Sequence, residues 1–325
     1  MQVLKRVFIA LFILLIALYV GISYALSNRV LTPESSMERT LNDMPIYWNT
    51  TFEEMMSLLP EPEGLTIQGF EEIPLHGQYF NVSDSAQCLF IFSHGWGRNW
   101  PNMLKYVPMI EDCRCDILMY DHRVHGESGG KYPTGGIKES KDLIAVTEWA
   151  NENKGYRWGQ IAWFGSSWGG ATVLMAGAEK QDVAFIVADS PFQNWYSAIF
   201  ERAIEDYGSG IKFIAPGVMR VVNLRVGVDY TEANALEKTK EIAEPVLLIH
   251  SKGDPETNSE QSVNISKNLN KKSVFHHTHW GNKHVMDVVN NTHEMKKILM
   301  DFILKNHIEA FIPTELVADT LGTQM

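Results

Sequence analysis

A chain of 325 residues, 45% hydrophobic and 21% charged, has the make-up of a globular protein with one sizeable core, which excludes a disordered chain and a polytopic membrane protein. Its formal charge of -11 comes with no visible basic patch for phosphate backbones, so nucleic acid is excluded as a partner.

The first residues are of a different material. Lys5 and Arg6 precede an apolar run over residues 7–26, close to the ~20 residues with which a helix crosses a bilayer. The basic flank keeps the N-terminus in the cytoplasm and places the rest of the chain on the extracytoplasmic side. The competing reading is a cleaved signal peptide of a secreted protein, with Ser23 and Ala25 as the small residues of its cleavage site. The run continues through Ile22, Tyr24 and Leu26, which favours a single-pass membrane anchor over residues 1–26. Residues 27–63 read as a polar linker with a short helix near 52–59, closed by Pro60-Glu61-Pro62-Glu63-Gly64.

Two runs, 65–70 and 78–82, open a sheet as an antiparallel pair. The runs 88–92, 116–120, 160–164, 184–188 and 246–250 are short and apolar throughout, as strands covered on both faces are. Helical patterns lie at 101–110, 137–153, 168–180, 260–269 and 291–305, with a further strand-like run at 273–277. The alternation predicts an α/β domain over residues 64–310, a mostly parallel central sheet flanked by helices, followed by a tail at 311–325. The interval 190–243 is too long for a connection. It holds Phe192, Trp195, Tyr196, Phe200, Phe213 and Pro216, and reads as a helical cap over the C-terminal edge of the sheet. Of the three cysteines, Cys88 reads as an inert core residue, and Cys113 and Cys115 lack the spacing of a metal or redox pair. A disulfide is not the expectation.

The chemistry centres on Gly165-Ser166-Ser167-Trp168-Gly169, a G-x-S-x-G between a strand and an Ala-rich helix. That is the pattern of a nucleophile turn, in which a serine on a strained bend needs small neighbours. Ser166 faces the wrong way for this and reads as packed. A serine needs a base, and in this arrangement acid and histidine follow it in chain order. Asp254 lies just beyond the strand-like 246–250, and His284 opens a loop after 273–277. His276, His277 and His279 read as structural or surface residues, with no convergent metal site. The oxyanion donors are assigned to the backbone N–H groups of Trp96, in Ser93-His94-Gly95-Trp96-Gly97, and of Trp168. His94 is read as shaping that loop. Neither phosphate-loop glycine pattern fits, and H-E-x-x-H is absent.

These residues carry a resemblance. His94-Gly95, Asp121-His122-Arg123-Val124-His125-Gly126-Glu127-Ser128, Gly165-Ser166-Ser167-Trp168-Gly169-Gly170, Asp189-Ser190-Pro191-Phe192, Ser251-Lys252-Gly253-Asp254 and Gly281-Asn282-Lys283-His284 fall in the order of the α/β-hydrolase superfamily. The chain resembles its serine-aminopeptidase-like and monoacylglycerol-lipase-like branch, including small hydrolases with an N-terminal membrane segment. The resemblance implies an α/β-hydrolase fold and a triad of Ser167, Asp254 and His284, with Trp96 and Trp168 in the oxyanion hole. It makes residues 121–128 a structural turn, in which Val124 stands where the family commonly has glycine. Asp189 occupies the place where some relatives keep their acid.

The expectation is hydrolysis of a small-molecule carboxylic ester through an acyl-enzyme, with no metal or organic cofactor. A peptidase, amidase or acyltransferase would use the same triad. A silent binding protein of this fold would be expected to have lost a triad member.

Overall fold

The computed structural model describes residues 1–313. Three helices come first, α1 (Gln2–Leu31), α2 (Met37–Asp43) and α3 (Phe52–Met56). Strands β1 (Glu63–Gln68) and β2 (Pro74–Phe80) pair antiparallel. The alternating part runs β3 (Leu89–Ser93), α4 (Val107–Ile110), β4 (Asp116–Tyr120), α5 (Ile137–Lys154), β5 (Ile161–Ser166), α6 (Trp168–Glu179) and β6 (Phe185–Asp189). A cap of α7 (Trp195–Tyr207), α8 (Ala215–Val226) and α9 (Ala235–Lys238) follows. The chain then re-enters the sheet with β7 (Val246–Ser251), α10 (Glu260–Ser266) and β8 (Val274–Thr278), and closes with α11 (Asp287–Asn290) and α12 (Thr292–Lys305).

The sheet has eight strands in the order β1-β2-β4-β3-β5-β6-β7-β8, parallel from β4 to β8. Every residue of β3, β4, β5, β6 and β7 is buried, which is why these strands read as unbroken apolar runs. The pleat sorts them into two cores. Leu89, Ile91, Ile161 and Trp163 face α5 and α6, whereas Phe90, Phe92, Ala162 and Phe164 face α4 and α12.

Four expectations need correcting. Residues 101–110 are not one helix: Trp100–Tyr106 is a 3₁₀ stretch and only Val107–Ile110 is α-helical. Pro101 and Pro108 lack the N–H that a continuous α-helix there would use. The tail does not begin at 311, because Phe311 is buried between Phe90 and Phe185; the rest of the expected tail, 314–325, lies outside the described residues.

The third correction is the linker. Residues 27–48 are not a spacer: α1 extends to Leu31, α2 follows, and Met44 and Trp48 are buried in the core beside α4. The polar residues that suggested a linker are used in contacts. Thr40 Oγ1 donates to Asn99 Oδ1 at 2.6 Å, Arg98 pairs with Asp43, and the Gly126 N–H donates to Ser35 Oγ at 3.0 Å.

The fourth is Cys88, which is not a free core thiol but is disulfide-bonded to Cys115. Each cysteine stands one residue before a strand, and Leu89 and Asp116 are register partners in the adjacent parallel strands β3 and β4. The two Cα atoms are therefore 4.7 Å apart. Cys113 stays a buried free thiol, pushed up to about 12 by burial.

Candidate active site

Strand β5 ends at Ser166 and α6 begins at Trp168, so Ser167 makes the whole turn, with φ 57° and ψ -116°. A non-glycine residue holds such a conformation only when its surroundings force it. Here the Ser167 N–H donates to the Asp189 carbonyl at 2.7 Å, and the Ser167 carbonyl accepts from Ala171 N–H at 3.1 Å. The flanking glycines are required by space: a Cβ on Gly165 would overlap the Gly169 carbonyl, and one on Gly169 would overlap the Ser93 carbonyl. Because both obstacles are backbone, Gly169→Ala is expected to cost about 3 kcal/mol or more of stability, read as a lowered urea midpoint. An unchanged midpoint would contradict this packing.

His284, in the loop after β8, approaches the serine with Nε2 2.7 Å from Ser167 Oγ, while its Nδ1 lies 2.6 Å from Asp254 Oδ2. Asp254 sits in the loop beyond β7, its side chain fully buried. Its Oδ1 accepts the backbone N–H groups of Glu256 at 2.9 Å and Thr257 at 3.0 Å. Oδ2 takes a second imidazole that the sequence did not suggest: His250 Nε2 at 3.1 Å. With carboxylate and the Thr257 carbonyl as acceptors, His250 Nε2 carries the proton and Nδ1 accepts from Ser262 Oγ at 2.7 Å. His250 therefore fixes the acid from behind. The one sequence signal was its place four residues before Asp254 at the end of β7.

The electrostatics follow from these contacts. Burial opposes ionisation of Asp254, but hydrogen bonds from His250, His284 and the Thr257 amide outweigh it and hold the carboxyl well below the usual range. Burial likewise favours neutral His284, yet its bond to Asp254 and the charges of Asp254, Glu256 and Asp189 raise its pKa. Asp189, the alternative acid, is turned elsewhere: Oδ2 accepts from Tyr106 Oη at 2.6 Å and Oδ1 from Ser190 Oγ at 2.9 Å. Lys105, buried beneath it, is brought down to about 7, chiefly by burial.

The loop after β3 lies against the serine. A Cβ on Gly95 would stand 3.4 Å from Ser167 Cβ and 3.9 Å from Oγ, which places the peptide leading to Trp96 beside Ser167. The Trp168 N–H is the first of α6, where amides have no helical acceptor. His94 shapes this loop, with Nδ1 2.8 Å from the Gly95 carbonyl and Nε2 accepting the His122 N–H at 3.0 Å. Residues 121–128 brace it further. Asp121 Oδ1 accepts the Trp100 N–H at 2.7 Å, and His125 Nε2 accepts the Gly97 N–H at 3.2 Å. Val124 sits at φ 66°, the left-handed conformation that favours glycine, the residue the resemblance implies at this position.

The wall next to the serine is aromatic. The Trp96 ring lies 5.3 Å from Trp168 and 5.0 Å from Trp195 of the cap, and Phe192 packs on Trp195 at 5.3 Å. Ser166 is buried with Oγ 3.2 Å from Tyr106 Oη, and because Tyr106 gives its proton to Asp189, the Ser166 hydroxyl is the donor there. Of the remaining histidines, His277 Nε2 is 3.0 Å from Ser259 Oγ and its ring stacks on Phe275. Among the described residues no group of His, Cys, Asp and Glu is placed to hold a metal ion.

A serine turn at the C-terminal edge of a mostly parallel sheet, met by a histidine and an acid from later loops, defines a serine hydrolase of the α/β-hydrolase fold. Within that class the chain belongs to the prolyl oligopeptidase family, whose model matches residues 130–308. It is 30% identical over 261 residues to the uncharacterized protein YqkD of Bacillus subtilis, covering 78% of this chain and 81% of that one. The fold is shared with the Pyrococcus furiosus esterase Pf2001, with a TM-score of 0.63 at 22% identity over 79% of this chain and 96% of that one. It is also shared with a Mycobacterium tuberculosis puromycin-hydrolyzing peptidase, with a TM-score of 0.59 at 19% identity over 79% of this chain but only 40% of the peptidase.

Proposed function

We propose that the chain hydrolyses carboxylic esters of small molecules through an acyl-enzyme formed on Ser167. The observation that carries this reading is the unbroken line Ser167–His284–Asp254, with contacts of 2.7 and 2.6 Å. His284 takes the Ser167 proton as Oγ attacks the ester carbonyl carbon, and the carbonyl oxygen becomes an oxyanion facing the Trp96 and Trp168 N–H groups. Asp254 orients the imidazole and stabilises its charged form. The tetrahedral intermediate collapses to the acyl-enzyme as His284 passes the proton to the departing alcohol. Water, deprotonated by the same imidazole, then releases the carboxylic acid and restores Ser167. The aromatic wall of Trp96, Trp168, Trp195 and Phe192 favours an apolar acyl or alcohol portion.

Cleavage of an amide or peptide bond is the second reading, favoured by the family match and by the likeness to the puromycin-hydrolyzing peptidase. One comparison separates the two. A fluorophosphonate probe is expected to modify Ser167, and p-nitrophenyl esters of increasing acyl length are expected to turn over faster than aminoacyl p-nitroanilides. Faster anilide cleavage would make the chain a peptidase. No adduct at Ser167 would overturn both readings.

The reading places this domain outside the cytoplasm on a retained α1. The Cys88–Cys115 disulfide supports an oxidising compartment. Retention is supported by packing: Ser23, Ser27, Val30 and Leu31 of α1 are buried, and cleavage after Ala25 would cut through this contact.

A further inference from the structure

Helix α1 does more than lead into the domain. Its second half lies along α8 of the cap, both running in the same direction. Tyr19 Oη donates to the Phe213 carbonyl at 3.3 Å, and Arg225 Nη1 donates to Ser27 Oγ at 2.6 Å and Asn28 Oδ1 at 2.7 Å. Arg225 also lies over the Tyr24 ring at 4.8 Å. Between these points the helices touch at Gly217, where a Cβ would come within 2.6 Å of both Ser23 Oγ and Tyr19 Oη. A small residue at such a crossing lets two backbones approach closely. The cap is thus fixed to α1 at several heights.

Those heights can be compared with a bilayer. Counted from Arg6, a ~30 Å hydrocarbon core is crossed in about twenty residues at ~1.5 Å each, ending near residue 26. The contacts of Tyr19 with Phe213 and of Ser23 with Gly217 fall short of that end, at the outer part of the span. The region of the cap held there is its tip, the end of α7 and the 3₁₀ stretch Ser209–Phe213. The tip carries Phe213, 84% exposed, Tyr207, 52% exposed, and an exposed Lys212. Aromatic rings with a lysine are the side chains that settle at a membrane–water interface, and the Phe213 ring stands almost entirely outside the described fold.

Resting on the reading of α1 as a retained anchor, we propose that the cap tip, residues 207–213, is a bilayer-docking surface, with the Phe213 and Tyr207 rings among the outer acyl chains and the Lys212 ammonium reaching up to the headgroups. The cap that walls the serine is then referenced to the membrane, so an apolar ester dissolved in the outer leaflet meets the cap without first crossing water.

The test uses the full chain in vesicles of phosphatidylcholine and phosphatidylglycerol, with or without bromine on the acyl chains. Phe8→Cys, Phe213→Cys and Lys305→Cys each carry an NBD fluorophore. Cys113 is buried with its thiol pushed up to about 12, so it stays unlabelled, and Cys88 and Cys115 are in their disulfide. Lys305 is exposed at the end of α12 and serves as the water-facing reference. Brominated lipid is expected to dim the probes at 8 and 213 several-fold more than the one at 305. Dimming at 8 with none at 213 would overturn docking of the tip and leave the anchor standing. Dimming at neither would overturn both. A probe at 213 that is shielded from water yet indifferent to bromine would mean that a second copy covers the tip, which also overturns the proposal.

Discussion

Ser167→Ala is expected to lower kcat for a p-nitrophenyl ester by about 10⁴- to 10⁶-fold, with KM and the urea midpoint little changed. The substitution removes one oxygen and nothing that holds the turn. The turn is held by backbone bonds to Asp189 and Ala171 and by the space around Gly165 and Gly169, all of which alanine leaves intact. Alanine tolerates the positive φ of 57° no worse than serine does, so the strain is already present in the wild type. No neighbour can substitute. Ser166 is buried, and its hydroxyl is engaged with Tyr106 Oη. What the variant is expected to keep is the contribution of the proposed oxyanion donors and of substrate positioning, which is small beside the full site. A loss of less than about ten-fold would mean that the reacting group is elsewhere. A matching loss of stability would mean that the turn, rather than the hydroxyl, had been removed.

Much of this site was legible because its parts sit at strand ends. The runs that became β5, β7 and β8 are followed by Ser167, Asp254 and His284, so recognising three strands already placed three side chains at one edge of one sheet. The α/β alternation was legible because burial on both faces leaves continuous apolar runs, and the cap because the interval between two such runs is too long for a connection. The features that escaped are those that depend on which strands are neighbours. Cys88 and Cys115 are 27 residues apart and meet only because β3 and β4 pair in that register. His250 looked like one more residue of a buried strand; its function as a clamp on Asp254 depends on how the loop over residues 251–257 folds back. The segment over residues 32–48 looked polar because its side chains are spent on Asn99, Arg98 and Gly126, partners far along the chain. Polarity without periodicity reads as a linker whether its groups face water or another loop.

Asp254→Asn is expected to lower kcat/KM by about 10⁴-fold and to move its acid limb to lower pH, two effects that only a charged partner of His284 explains together. The size follows from proton positions. Asp254 Oδ2 accepts from both His284 Nδ1 and His250 Nε2 while Oδ1 accepts two backbone N–H groups, and an asparagine that turns its N–H₂ to the Oδ2 side presents it to both imidazoles. His284 is then pressed into the tautomer that carries its proton on Nε2, where it cannot take the Ser167 proton. The shift follows from the sign of the wild-type pKa. Burial lowers it, the bond to Asp254 and the nearby negative charges raise it, and the raising causes prevail. A general base works as the neutral form, so wild-type activity falls away as pH drops through a value above the ordinary ~6.5 of histidine. Asparagine removes the largest raising cause and leaves the burial, so the residual activity persists to lower pH than in the wild type. The stability effect runs in a compatible direction. A carboxyl depressed in the folded state stabilises it above the unfolded value of ~3.9 and ceases to do so as pH falls through the folded one. The variant lacks that contribution at neutral pH and is expected to unfold at lower urea there, with the gap from wild type closing in strong acid. His250→Gln keeps the charge and loses only the clamp behind it, so it should lower kcat far less, and its acid limb should move slightly upward because Asp254 becomes the stronger acceptor for His284. An acid limb that stays in place in Asp254→Asn would transfer the role of acid to Asp189, whose contacts with Tyr106 and Ser190 would then have to break during turnover.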